Sequence, residues 1–336
     1  MANKLTRKKN RLIRLLYFVF ISLVMITLAI IEISSNHVSF SDEKALTRYI
    51  KSEEELLDGV AGAYNDTLIL DNDITITKDF SLGTKINPFK GVFDGNGYTI
   101  KLEETNASLF DYISESGIVK DVKIEYSNPN LECNTFAIIA NENNGTIENI
   151  NVICKNTYLR NVSKFGLIAI TNNGTIKNCV VDYELTKAVV VDSKNVKNYI
   201  GGICLYNNNI IESIIAKVNF KGFDETDAIK VSESNGLLTN NNIGAIIVNK
   251  TKGTIKNCYV EGNENLFTCD KYVQSSSNIK INFIPSIQEM FALETGVEIF
   301  HNEMNFDEEV WTLLNGVISF NHGDTRWRNH WYLLLH

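Results

Sequence analysis

Asp94, Glu103, Glu104 and Asp111 fall close together in the first third of the chain, and such a group of carboxylates has two chemical uses. Brought together on neighbouring strands, carboxylates supply oxygen ligands for Ca²⁺, and an Arg or Lys beside them abstracts a proton in a lyase reaction. Held across a sugar, one carboxyl serves as acid and the other as base, which is the chemistry of glycoside hydrolysis. Each residue also has a plainer role, since Asp94 in FDGNG is a turn residue and Glu103 and Glu104 form an exposed corner.

Other candidate groups point to no defined chemistry. NHGD, from Asn321, carries a His and an Asp but lies beyond the repeated part of the chain. The final HGDTRWRNHWYLLLH gathers His322, His330, His336, Arg326, Arg328, Trp327 and Trp331. It is either a recognition patch or a segment whose Trp and Leu side chains pack back on the last repeat. Asn144-Gly-Thr and Asn173-Gly-Thr match a glycosylation sequon, but they recur with the repeat, and no Gly-rich phosphate loop is present. Cys133, Cys154, Cys179, Cys204, Cys258 and Cys269 form no CxxC pair and no zinc spacing, and several stand at apolar repeat positions as small buried hydrophobes. The expectation is no catalytic constellation, no cofactor and no metal.

The elements that must position any site come from a repeat. GIVKDVKI from Gly117, GTIENINV from Gly145, GTIKNCVV from Gly174, NIIESIIA from Asn209 and GTIKNCYV from Gly253 align, with starts 28, 29, 35 and 44 residues apart. That period is a structural repeat with insertions in its later turns. Within each unit the third, sixth and eighth positions are apolar, as in Ile176, Cys179 and Val181. A strand keeps a spacing of two, so the step of three marks a corner after which a new strand presents the same face inward. The corner residues are Asp121, Asn149, Asn178, Ser213 and Asn257, and Asn and Asp tolerate left-handed backbone. A further strand precedes each unit, in FAIIANENN, FGLIAITNN, IGGICLYNN and IGAIIVNKTK, ending in an NN or NK turn. Two or three strands per turn with Asn at the corners predicts an all-β fold, a right-handed parallel β-helix solenoid. Each rung of such a stack buries its apolar residues against the rungs above and below.

GVFDGNGYTIKL, Gly91 to Leu102, resembles the early rung of pectin-lyase-like right-handed β-helix proteins. The FGLIA-type strands are similar to the GLUG repeats of bacterial surface proteins. The segment from Glu53 resembles the helix and first rung that open such a helix, and SIQEMFALETGVEIFHNEMNFDEEVWTLLNGVISF, from Ser286, resembles a closing segment. This resemblance implies fold more strongly than activity. Members of the fold that cut polygalacturonate carry paired aspartates, and no Asp-Asp pair occurs here.

Charge and hydropathy complete the organisation. Lys4, Arg7, Lys8, Lys9, Arg11 and Arg14 precede the uncharged run Leu15 to Ile31, so the chain beyond is more acidic than its net charge of −8. An acidic body disfavours nucleic acid. The basic start and apolar run predict a single-pass signal anchor over 15–33 and a cytoplasmic tail over 1–14, with the body outside the cell membrane. The remaining divisions are a linker and helical cap over 40–66, β-helix repeats over 67–285 and a cap and tail over 286–336. Leu46, Tyr49, Ile50, Leu56, Leu57 and Val60 are spaced as one helical face that covers the first rung. The expected role is a non-enzymatic, adhesin-like surface scaffold that binds glycan or protein, with a polysaccharide lyase or glycoside hydrolase as the alternative.

Overall fold

The computed structural model describes residues 45–60, 64–159, 162–187, 199–221, 242–244, 246, 253–262 and 279–320. The expected anchor, Cys269 and the His- and Trp-rich tail lie outside these residues. Among the described residues, no helix is long and apolar enough to cross a membrane.

The body is built from three parallel sheets, consistent with a β-helix-like solenoid. The long sheet contains β1 (Thr47–Ile50), β2 (Thr67–Leu70), β4 (Val92–Asp94), β7 (Ile118–Ser127), β10 (Thr146–Leu159), β13 (Thr175–Lys187), β16 (Ile210–Lys221), β18 (Thr254–Glu261) and β19 (Ile279–Ile284). Beside it run β3 (Ile74–Ile76) and β5 (Thr99–Glu103), the latter pairing with β7. A second sheet holds β8 (Thr135–Ala137), β11 (Lys164–Gly166), β14 (Tyr199–Gly201) and β17 (Asn242–Gly244). A third holds β6 (Phe110–Ile113), β9 (Ala140–Asn143), β12 (Ala169–Asn172) and β15 (Cys204–Asn207).

The register follows the repeat. Val119 pairs with Ile147, Ile147 with Ile176, Ile176 with Ile211 and Ile211 with Ile255, which are steps of 28, 29, 35 and 44 residues. All five are buried, as are Val122, Ile150, Cys179, Ile214 and Cys258 at the sixth position. At Gly145 and Gly174 the rungs approach so closely that a Cβ on Gly174 would lie 2.0 Å from the Gly145 carbonyl oxygen, and one on Gly145 would lie 2.1 Å from that of Gly117. Glycine is a packing requirement there.

The corner residues all adopt left-handed backbone, with φ of 55° at Asp121, 54° at Asn149, 53° at Asn178, 57° at Ser213 and 52° at Asn257. The two arms do not separate into distinct strands, as the sequence pattern suggests. Hydrogen bonding continues on both sides of the bend, so each unit is one long kinked strand. An early rung shows the uncondensed form: Gly95–Tyr98 loop out between β4 and β5, and both arms still pair with β7.

The amino-terminal cover differs from the expected single helix face. Thr47–Ile50 is a strand paired in parallel with Thr67–Leu70, and the helix α1 (Glu53–Val60) starts only after Ser52, whose hydroxyl accepts from Glu55 N at 3.2 Å. Ile50 and Leu56 enter the core, whereas Leu46 and Tyr49 are exposed at 54% and 61%. Thr, Tyr and Ile suit an edge strand, and a backbone ladder offered by the next rung wins over helical periodicity.

The segment 286–320 lies on the flank of the solenoid. It contains α2 (Ile287–Ala292), α3 (Glu294–Glu298), a π-helical turn over Ile299–Glu303 and the hairpin β20 (Trp311–Leu314) with β21 (Val317–Phe320). Phe291, Phe300, Met304, Phe306 and Trp311 pack with Ile215, Val180 and Tyr259, which point away from the main core. Tyr259 meets Phe291 edge-on at 6.0 Å, and Phe300 stacks on Phe306 at 4.5 Å. Ser286 caps α2, accepting from Glu289 N at 3.1 Å, and the Glu261 carboxylate accepts from Ile287 N at 2.6 Å.

The continuous polar ladder is Asn143–Asn172–Asn207, fully buried, with Asn143 Nδ2 donating to Asn172 Oδ1 and Asn172 Nδ2 to Asn207 Oδ1, each at 2.8 Å. Asn172→Ala strands a donor below and an acceptor above. Its expected cost is about 2–4 kcal/mol, against less than about 1 kcal/mol for Asn178→Gly, where glycine accepts the left-handed φ. Denaturant midpoints for the two variants measure this difference, and equal midpoints would contradict it.

Candidate functional site

The second and third sheets meet in an angle that opens outward. Phe165 points into the core, so the next residue, Gly166, faces out, and a Cβ there would sit 2.0 Å from the Ala169 carbonyl oxygen. Gly201 repeats this against Cys204 at 2.1 Å. The chain therefore folds back on its solvent side at each rung. Ala137, Ile170 and Leu205 fill the angle as a small apolar cluster outside the main core, flanked by half-buried Tyr199 and Tyr206.

Register sets the column of side chains along this face. Tyr112 pairs with Glu142, Glu142 with Thr171 and Thr171 with Tyr206, so the column has a tyrosine at each end and polar side chains between. At its first end Tyr112 Oη donates to Glu142 Oε1 at 2.5 Å, and Asn173 Nδ2 donates to the same oxygen at 3.0 Å. Tying its proton to the carboxylate pushes the Tyr112 phenol above its ordinary pKa. One column over, Asn141 Nδ2 donates to Asp111 Oδ1 at 3.0 Å, and Ser108 Oγ donates to Asn141 Oδ1 at 2.9 Å. Half-buried tyrosines beside fixed amides and carboxylates make a surface able to stack a sugar ring and bond its hydroxyls.

The long sheet presents a different face. Its fourth-position residues alternate in sign along the axis: Asp94, Lys120, Glu148, Lys177, Glu212 and Lys256 are successive neighbours in register. They close as Asp94–Lys120 at 2.8 Å, Glu148–Lys177 at 2.8 Å and Glu212–Lys256 at 2.6 Å. Lys120 also meets Asp121 at 2.7 Å, and the two carboxylates outweigh its desolvation and raise its pKa. These charges neutralise one another.

The residues singled out from sequence scatter over both faces. The corner residues Asp121, Asn149, Asn178, Ser213 and Asn257 lie on the long sheet. Asn149 Nδ2 donates to Asp121 Oδ1 at 2.9 Å, whereas Asn178 and Asn257 donate to the Asn305 and Glu303 carbonyls at 3.2 and 3.1 Å, fastening the flanking segment. Of the four carboxylates near the first rungs, Asp94 is held by Lys120 and Asp111 faces the angle between the short sheets, while Glu103 and Glu104 are exposed. No group of three or more potential metal ligands forms among the described residues. The tyrosine face escaped notice in the sequence, although in FDYI, ANEN, AITN and CLYN its members share the third position, immediately before a buried residue.

Comparison with family models, curated proteins and solved structures finds no match.

The buried thiols are packing groups. Burial pushes Cys154 and Cys179 up to about 12 and Cys133 up to about 11, so none is a nucleophile near neutrality. The same burial couples stability to alkali. Between pH 9 and about 12 the unfolded chain loses thiol protons that the folded chain keeps, so stability falls as pH rises through this window. Each thiol contributes a slope of up to about 1.4 kcal/mol per pH unit. Cys179→Val, matching Val122 at the equivalent position, is expected to flatten the alkaline limb in denaturation curves taken from pH 8 to 11; an unchanged slope would contradict this.

Proposed function

We propose that the protein is a non-enzymatic, adhesin-like scaffold that binds glycan along the outward angle between its two short sheets. The observation that carries this reading is the column Tyr112–Glu142–Thr171–Tyr206 with Tyr199 beside it. Aromatic faces and fixed hydrogen-bonding groups lie there on successive rungs. With rungs about 4.8 Å apart, the column spans roughly 14 Å, enough for an extended oligosaccharide along the axis.

The carboxylates of this face support binding over turnover. Glu142 is engaged by Tyr112 and Asn173, and Asp111 by Asn141, so each is oriented by neutral donors. Right-handed winding, kinship with pectin-lyase-like and GLUG-repeat proteins, and display outside a bacterial cell on an anchor over 15–33 belong to the same proposal. They rest on the repeat, the basic amino terminus and the apolar run after it.

A glycan array combined with calorimetry tests the reading. A retained glycan should lose about tenfold or more in affinity on Tyr206→Ala, as expected for an aromatic stacking platform, with no new sugar ends released. Appearance of unsaturated or reducing ends would establish a lyase or hydrolase instead, and unchanged affinity in Tyr206→Ala would move the site elsewhere.

A further inference from the structure

The angle between the short sheets carries charge that the fold leaves uncompensated. Along the long sheet, carboxylates have lysine partners: Asp94 and Asp121 share Lys120, Glu148 has Lys177, Glu212 has Lys256 and Glu184 has Lys221. Asp111 and Glu142 differ. Both are half-buried, both are held by neutral donors on one oxygen only, and neither enters an ion pair among the described residues. Asp111 Oδ2 and Glu142 Oε2 keep their lone pairs for a ligand.

Among the described residues, the other charged group on this face is Lys164, half-buried on the second sheet in register with Tyr199. It is likewise outside the ion pairs of the described residues, so their contribution to the face is two anions against one cation. Partly desolvated charges without counter-ions act on a ligand at reduced dielectric, attracting cations and repelling anions.

We infer, resting on the glycan-binding reading, that this face selects its glycan by charge, accepting polymers whose sugars bear free amino groups and rejecting polyuronates. The ammonium donates to Asp111 Oδ2 and Glu142 Oε2, while neighbouring rings stack on Tyr206 and Tyr199.

Calorimetry of the full chain with glucosamine oligomers and galacturonate oligomers of equal length tests this. Glucosamine oligomers should bind at least about tenfold tighter at low salt, a preference that shrinks as salt screens the charges. Asp111→Asn with Glu142→Gln, which preserves shape, should abolish it; if that variant unfolds, the salt dependence of the unaltered chain carries the test. Galacturonate binding as tight or tighter, or binding of neutral glycans alone, would overturn charge selection; if that binding is lost in Tyr206→Ala, the glycan site itself stands. No binding of any glycan would overturn both.

Discussion

Backbone hydrogen bonding along the solenoid axis governs everything else in this protein. Each residue donates to and accepts from residues one turn away, so every side chain stacks at about 4.8 Å on its counterpart in the next turn. A side chain is thus selected less by its sequence neighbours than by the residue 20 to 44 positions away. Asparagine satisfies this condition well, because one amide donates upward while its oxygen accepts from below. The Asn143–Asn172–Asn207 ladder uses this capacity inside the core, and outside it Asn208 donates to Asn173 and Asn173 to Asn144 in the opposite sense, at 2.7 and 2.9 Å. About one residue in eight is Asn for this physical reason.

The same constraint makes faces rather than points the units of function. A feature present in one rung is carried along the axis, whether as a charge ladder, an aromatic column or an apolar stripe. The outward residue of the second arm changes from Lys123 and Asn151 to Val180, Ile215 and Tyr259, and the flanking segment covers the apolar half. The corner asparagines beneath that segment turn their amides to it, which is why the corner stack is not continuous.

Much of the fold was legible because its rule is local and repeated. The three-residue step at Asn178 marks left-handed backbone, and the spacing of apolar positions gives both register and core. What was not legible depended on partners far away in sequence. That Asn172 stacks while Asn178 fastens a segment 127 residues later is decided by tertiary contacts, which the residues next to either Asn in the sequence do not reveal. Thr47–Ile50 looked helical because its apolar spacing fits a helix, yet an unpaired strand edge in the first rung claimed it. The tyrosine face stayed hidden because its members, Tyr112, Tyr199 and Tyr206, are scattered, and only the outward angle at Gly166 and Gly201 gathers them.

The alternating ladder Asp94–Lys120–Glu148–Lys177–Glu212–Lys256 imposes a parity on the molecule. Removing or duplicating a single turn within it would set Lys against Lys or Glu against Glu, and like charges directly opposite destabilise a sheet. Removing or duplicating two turns restores the alternation. The solenoid can therefore change its length at low cost only in pairs of rungs, so its unit of growth is twice the unit of its fold.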